Sequence, residues 1–242
     1  MHRALALLTA LVLFVPIVAL AADAPSRERI EQIIREYLRD HPEAVVDALR
    51  SAEIKRRDAA LAQTQQAIAK HRDELLRDGT SPVGGNASGD VTVVEFFDYA
   101  CPHCKAAEPA MNQLVREDAK VRVVYKELPI LGNASVTAAR AALAAHAQGK
   151  YQAFHDTMMK ATGAPDDATV FRVASEVGLD VARLKTDMAS PGVAAVIEKN
   201  YTLAQSLGIT GTPAFVIGDA FAPGAVPLAR LKEMVARARQ AK

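Results

Sequence analysis

Val91–Cys104 reads VTVVEFFDYACPHC: an apolar strand, a tight turn, and two cysteines two residues apart that open a helix. Val91–Phe97 is apolar except for Thr92 and Glu95, the pattern of a strand covered on both faces. Pro102 suits the first helical position, where its missing N–H is no loss. Cys101 and Cys104 are the 2 cysteines of the chain, so its thiol chemistry has to take place there.

A CxxC at a helix start puts the first sulfur against unpaired backbone N–H groups, which favour its thiolate. Cys101 is therefore expected to be an exposed nucleophile and Cys104, one turn further in, the resolving thiol. His103 between them can stabilise the Cys101 thiolate through its imidazole or backbone, which favours the reduced form and makes the disulfide more oxidising. A disulfide between residues this close closes too small a loop to staple a fold, so the pair reads as redox-active. Metal binding is the competing use. Two cysteines and one histidine cannot fill a tetrahedral zinc shell, and there is no second CxxC or HxxxH, so no metal site is assigned. Two thiolates could still hold Cu(I), which leaves a copper-tolerance role as the alternative. No cofactor is implied.

Following the chain downstream, Val121–Lys126 is the next strand, which makes strand, helix, strand a βαβ unit. A helical block follows over about 133–207. Asp166 or Asp167 and Asp180 are cap candidates, and Ser190-Pro191 is an N-cap followed by proline at N1. Strands resume at Ala214–Ile217, turn at Gly218-Asp219 and return from Ala220. Pro227–Gln240 is a closing amphipathic helix. The block is therefore an insertion in an α/β sheet domain.

Two elements near this sheet suit a thiol exchanger. Gly211-Thr212-Pro213 precedes an apolar strand, so Pro213 marks a strand start or a cis bond. Set against the CxxC, that loop would leave the Thr212 backbone free to pair with an extended substrate segment. Glu95 lies inside the apolar strand, where a carboxylate must be paired or protonated. A raised pKa and proton transfer beneath Cys104 is the functional reading, with Lys126 as a conceivable partner. His146 and His155 read as packing or surface residues.

Upstream, Ser26 is a helix N-cap candidate, and Ile30, Ile33, Ile34, Tyr37 and Leu38 form one helical stripe. Asp40–Glu43 reads as a break and restart. Ile54, Leu61, Ile68 and Leu75 then recur every seven residues, a weak coiled-coil seam because Arg57, Thr64 and His71 fill the partner positions. Gly79–Pro82 reads as a linker. Residues 26–78 are thus expected to join copies of the chain as a dimer or trimer.

At the start, Arg3, the apolar run Ala4–Leu20 and Ala19-Leu20-Ala21 read as a signal peptide over residues 1–21, cleaved on export. Removing Arg3 and no acidic residue leaves 28 charges of each sign. That balance argues against a nucleic-acid partner. Export, to a periplasm or its equivalent, allows a disulfide to persist.

Taken together, EFFDYACPHC, the helical insertion and GTPAFVIG resemble the DsbA family of exported thioredoxin-fold proteins, over about residues 84–242. The resemblance implies a thioredoxin fold with an inserted helical subdomain, here preceded by a helical arm: residues 22–80 as oligomerisation segment and linker, 81–242 as the DsbA-like domain. It implies Cys101 as the attacking and Cys104 as the resolving cysteine, Pro213 as the cis-proline and Glu95 as the buried acid. Thr212 before the cis-proline is similar to the family's isomerases, whereas its well-known oxidases carry valine. The Ile30–Leu76 extension resembles the ScsC/Com1-type branch, whose oligomers act as isomerases. The expected activity is protein disulfide oxidation or isomerisation. The expected partners are misfolded secreted proteins with cysteines and a membrane redox partner.

Overall fold

The computed structural model describes residues 26–241; the expected signal peptide lies outside the described residues. The chain divides into two compact units, Met1–Lys55 and Arg56–Lys242.

The described part of the first unit is helical. Ser26 Oγ accepts from the Arg29 N–H at 3.3 Å and caps α1 (Arg27–Asp40). Helix α1 stops where Pro42 approaches, because the residue before a proline avoids the helical region. The chain restarts as α2 (Glu43–Lys70). No residue of α1 is buried, and Ile30, Ile33, Ile34, Tyr37 and Leu38 are 39–55 % exposed.

The second unit is built on five strands: β1 (Val83–Gly85), β2 (Val91–Phe97), β3 (Val121–Glu127), β4 (Ala214–Ile217) and β5 (Ala220–Pro223). Their order is β1-β3-β2-β4-β5, with β2 and β3 parallel and the other pairs antiparallel. The expected strand–helix–strand unit is present, with α4 (Pro102–Glu117) between β2 and β3, after the short α3 (Arg72–Leu76). Helices α5 (Asn133–Ala147), α6 (Tyr151–Lys160), α7 (Asp167–Glu176), α8 (Val181–Met188) and α9 (Pro191–Ser206) fill the insertion. Asp180 and Ser190 cap two of them through their side chains, as their positions predicted, and of the two candidates Asp166 and Asp167 it is Asp166 that caps α7. Gly218 turns β4 into β5 at φ +64°, a conformation side chains other than glycine rarely take. Helix α10 (Leu228–Gln240) closes the chain.

Alternation along β2 sends Val93, Glu95 and Phe97 to one face and Val94 and Phe96 to the other. The first face packs with Met111 and Leu114 of α4, Phe154 and Met158 of α6, and Leu231 and Met234 of α10. The second packs with Leu203 and Leu207 near the end of α9, and with Ile68 and Leu75. This second contact corrects the heptad reading. Ile68 and Leu75 are 4 % and 1 % exposed, consumed by the core of their own unit. Ile54 and Leu61 remain 44 % and 46 % exposed.

The expected linker is also a packed structure. Asp78, buried beside it, accepts from Lys126 Nζ at 2.8 Å, Lys199 Nζ at 2.9 Å and Ser81 Oγ at 2.9 Å. Burial would raise this carboxyl, but Lys126, Lys199 and Thr80 hold it well below its ordinary 3.8. Lys126 is thereby taken. It faces Asp78, Ser81 and the Glu74 carbonyl on the second face of the sheet, rather than Glu95 on the first. The ammonium that gathers Asp78 and Ser81 comes from a strand far along the chain.

Candidate active site

Cys101 is the N-cap of α4 and Pro102 its first residue. The turn before them is fixed by Asp98, which is 1 % exposed. Its carbonyl accepts from the Cys101 N–H at 3.0 Å, and its Oδ1 from the Ala100 N–H at 2.7 Å. Its Oδ2 accepts from the N–H groups of Ile130 and Leu131 at 2.9 and 3.0 Å, joining the loop after β3 to the turn. Asp98 is a positioning residue that sequence reasoning missed. An Asp three residues before the helix-opening Cys101 is the turn signal that could have revealed it.

The Thr212–Pro213 peptide is cis. It brings the Thr212 carbonyl to 3.3 Å from Cys101 Sγ, whose S–H donates to it. The two motifs read from sequence therefore meet. Cys101 is nonetheless only 5 % exposed, not the open thiol expected, because the Thr212 loop lies over it. Pro102 and His103 are exposed on the first turn of α4. Cys104 is fully buried and accepts from the Asp98 N–H at 3.5 Å. Burial pushes its thiol well up, the Asp98 N–H opposes this, and a charge on Cys101 adds to it. Both cysteines are free thiols.

Glu95, opposite Tyr125 on β3 and Phe215 on β4, is fully buried. Neither carboxyl oxygen has a hydrogen-bond partner. Burial, and then Glu108, push it well above the usual carboxylate range, which favours its protonated form. The functional expectation for Glu95 rested on this protonated alternative; the paired alternative through Lys126 is absent.

Glu95 is one of three buried acids on this face. Glu127 is fully buried, and its Oε1 accepts from Tyr151 Oη at 2.8 Å and Tyr99 Oη at 3.4 Å. Burial raises it well above the usual range, while the two tyrosines pull it back. Glu108, on α4, accepts from Asn112 Nδ2 at 2.9 Å. His155 packs among Phe97, Tyr99, Tyr125 and Tyr151, as expected, yet it also bonds Tyr99 Oη at 3.1 Å.

Paired thiols at a helix start under a cis-proline loop, on this sheet, place the chain among thioredoxin-fold oxidoreductases. The family described as DSBA-like thioredoxin domain matches residues 92–236, and the chain belongs to it. Among solved structures, a thioredoxin-like oxidoreductase from Silicibacter pomeroyi DSS-3 is 52 % identical at TM-score 0.69, over 71 % of this chain and 99 % of that one. A ScsC linker-deletion mutant from Proteus mirabilis is 27 % identical at TM-score 0.73, over 92 % of this chain and 100 % of that one. That likeness sets the chain in the ScsC-like branch. The thiol:disulfide interchange protein DsbA of Bordetella parapertussis is 28 % identical over 145 residues, 58 % of this chain and 69 % of that protein. The chain spans about a fifth of the length of the first curated relatives it matches, such as the Na(+)/H(+) antiporter NhaA 3 of Salinispora tropica, with 33 % identity over 137 residues, 56 % of this chain and 21 % of that protein. Among the described residues, no helix is long and apolar enough to cross a membrane.

Proposed function

We propose that the protein catalyses dithiol–disulfide exchange on exported proteins that contain cysteines, through Cys101 and Cys104. The observation that carries this is the contact of Cys101 Sγ with the Thr212 carbonyl, at the start of α4. In the reductive direction, the Cys101 thiolate attacks one sulfur of a substrate disulfide. A mixed disulfide forms and one substrate thiolate leaves. Cys104 then attacks Cys101 Sγ, releasing the second substrate thiolate and leaving the Cys101–Cys104 disulfide, so two electrons pass to the substrate. Oxidation is the reverse: a substrate thiolate attacks Cys101, and Cys104 leaves as a thiolate. Because burial disfavours that thiolate, it takes a proton, and the protonated Glu95 beside it is the nearby source. Pro102 and His103 present the first turn of α4, where His103 offers a further donor to a Cys101 thiolate. A substrate segment lies along Thr212 and Pro213, displacing the thiol from the Thr212 carbonyl.

The working unit is an assembly. Ile30, Ile33, Ile34, Tyr37, Leu38, Val45, Val46 and Leu49 are all exposed at 39–66 %, an apolar stripe long enough to join copies within residues 26–78 as a dimer or trimer. Several dithiols would then face one substrate, which favours isomerisation. Ala4–Leu20 supports export to the periplasm, where a membrane redox partner resets the dithiol.

The test pairs two assays, insulin reduction and refolding of scrambled ribonuclease, on the parent and on Cys101→Ser. Loss of both activities is expected; full activity of the variant refutes the proposal. Deleting the residues before Arg56 is expected to remove isomerisation while keeping dithiol oxidation, and retained isomerisation in the deleted form refutes the assembly reading.

A further inference from the structure

Behind the CPHC helix, three side chains converge that no exchange step uses: Glu108 of α4, and His155 and Asp156 of α6. One ligand atom from each lies within 4.8 Å of the other two. Glu108 is 6 % exposed and His155 fully buried, while Asp156 is half-buried.

The hydrogen bonds around them suit an imidazole that turns an unprotonated nitrogen toward the carboxylates. Tyr99 has one hydroxyl proton, which it donates to Glu127 Oε1 at 3.4 Å. Its oxygen can then accept from His155 Nδ1, 3.1 Å away, in the tautomer that carries the ring proton on Nδ1. In that tautomer Nε2 keeps its lone pair. That atom is buried without a hydrogen-bond partner and faces Glu108 Oε2 at 3.5 Å. In that tautomer a lone pair and a carboxylate oxygen, out of water and with no donor between them, repel unless a cation sits there. The other ligands are oriented from behind as well. Asn112 Nδ2 donates to Glu108 Oε1 at 2.9 Å, and Gln152 Nε2 to Asp156 Oδ1 at 2.7 Å. An imidazole held by a Tyr–carboxylate pair and two carboxylates each held by an amide is the outer-shell support that metal ligands receive.

We propose that Glu108, His155 and Asp156 bind a divalent transition-metal ion of the Zn²⁺ class. One imidazole nitrogen and two carboxylate oxygens suit Zn²⁺; the absence of sulfur disfavours Cu(I), and the imidazole disfavours Mg²⁺ and Ca²⁺. Three protein ligands leave a fourth position for water on the half-exposed Asp156 side. Ligand atoms around a tetrahedral ion with bonds of about 2.1 Å stand roughly 3.4 Å apart, so binding draws the Asp156 carboxylate inward. The bound ion ties the catalytic helix to the helical insertion, a connection separate from the thiols and absent from sequence spacing because its ligands lie on two distant helices.

The experiment uses the full chain with Cys101 and Cys104 oxidised, so that no thiolate competes. Zn²⁺ is titrated by calorimetry and Co²⁺ by visible absorption. One ion per chain is expected, with Co²⁺ bands that lack thiolate charge transfer. His155→Gln is expected to weaken Zn²⁺ on the order of 100-fold, and Tyr99→Phe, which removes the hydroxyl behind His155 Nδ1 but no ligand, roughly 10-fold or more. Asp156→Asn, at a half-exposed position that leaves the fold intact, should also lose affinity. An oxidised protein that takes up no Zn²⁺, as when His155 Nε2 is satisfied by a proton alone, overturns the proposal. So does an affinity unchanged in both His155→Gln and Asp156→Asn.

Discussion

Replacing Glu95 by glutamine removes a buried acid that titrates differently in the folded and unfolded chain. Glu95 is fully buried, with both carboxyl oxygens unpartnered, and burial followed by Glu108 raises it well above its ordinary 4.5. The folded state therefore keeps a proton that the unfolded chain gives up. Where this holds, the unfolded state binds fewer protons, so stability falls as pH rises above the unfolded value. The loss is about 1.4 kcal/mol for each pH unit over which the folded carboxyl stays protonated while the unfolded one is ionised. Below pH 4 both forms are protonated and the contribution is fully present. Glutamine has a similar shape and no charge to lose. Urea unfolding of reduced parent and Glu95→Gln at pH 5, 6 and 7, at one protein concentration, should show the variant gaining on the parent by up to about 1.4 kcal/mol per unit. Glu127 is common to both proteins and is raised chiefly by its own burial, so most of its contribution cancels. A stability difference that stays constant with pH, or turns against the variant as pH rises, refutes the reasoning.

Asp78→Ala leaves Lys126 buried without its carboxylate and is expected to cost about 3–5 kcal/mol in urea unfolding; a change below about 1 kcal/mol contradicts the pairing. The Asp78 carboxyl is held below 3.8, so its stabilisation is present above that pH and lost as pH falls below it; the gap between parent and variant should close in acid. Ile33→Arg with Leu49→Arg, both on the exposed stripe, should reduce the mass measured by light scattering to that of one chain, without changing the folded circular dichroism. Asp98→Ala frees the N–H groups of Ile130 and Leu131 and should slow substrate exchange while sparing thiol count; an unchanged exchange rate contradicts its positioning role.

What could be read from sequence was the local and the periodic. The strand Val91–Phe97, the helix opened by Pro102 and the cap residues Asp166, Asp180 and Ser190 each carry their signal within a few positions. Glu95 stood out because a charge inside an apolar run violates the burial pattern. Glu108 and Glu127 did not, since glutamate in a helix and at a strand end reads as solvated. Their burial comes from α6 folding back across the first face of the sheet. The same limit hid Asp78. Nothing near it in sequence offers Lys126 or Lys199, and only the register of β3 and the placement of α9 bring them in. Seven-residue spacing could not tell Ile54 and Leu61, left exposed, from Ile68 and Leu75, taken by the core. Nor could it reveal that the Thr212 loop covers Cys101, because the two residues meet only once β4 pairs with β2.

The central claim is that Cys101 attacks and Cys104 resolves. Cys104→Ser, incubated with a scrambled disulfide protein and quenched in acid, isolates the first step. Mass spectrometry is predicted to find the substrate joined to the chain through Cys101 as a stable mixed disulfide, which the parent resolves. A Cys104→Ser protein that accumulates no such adduct under conditions where the parent turns over would contradict the account.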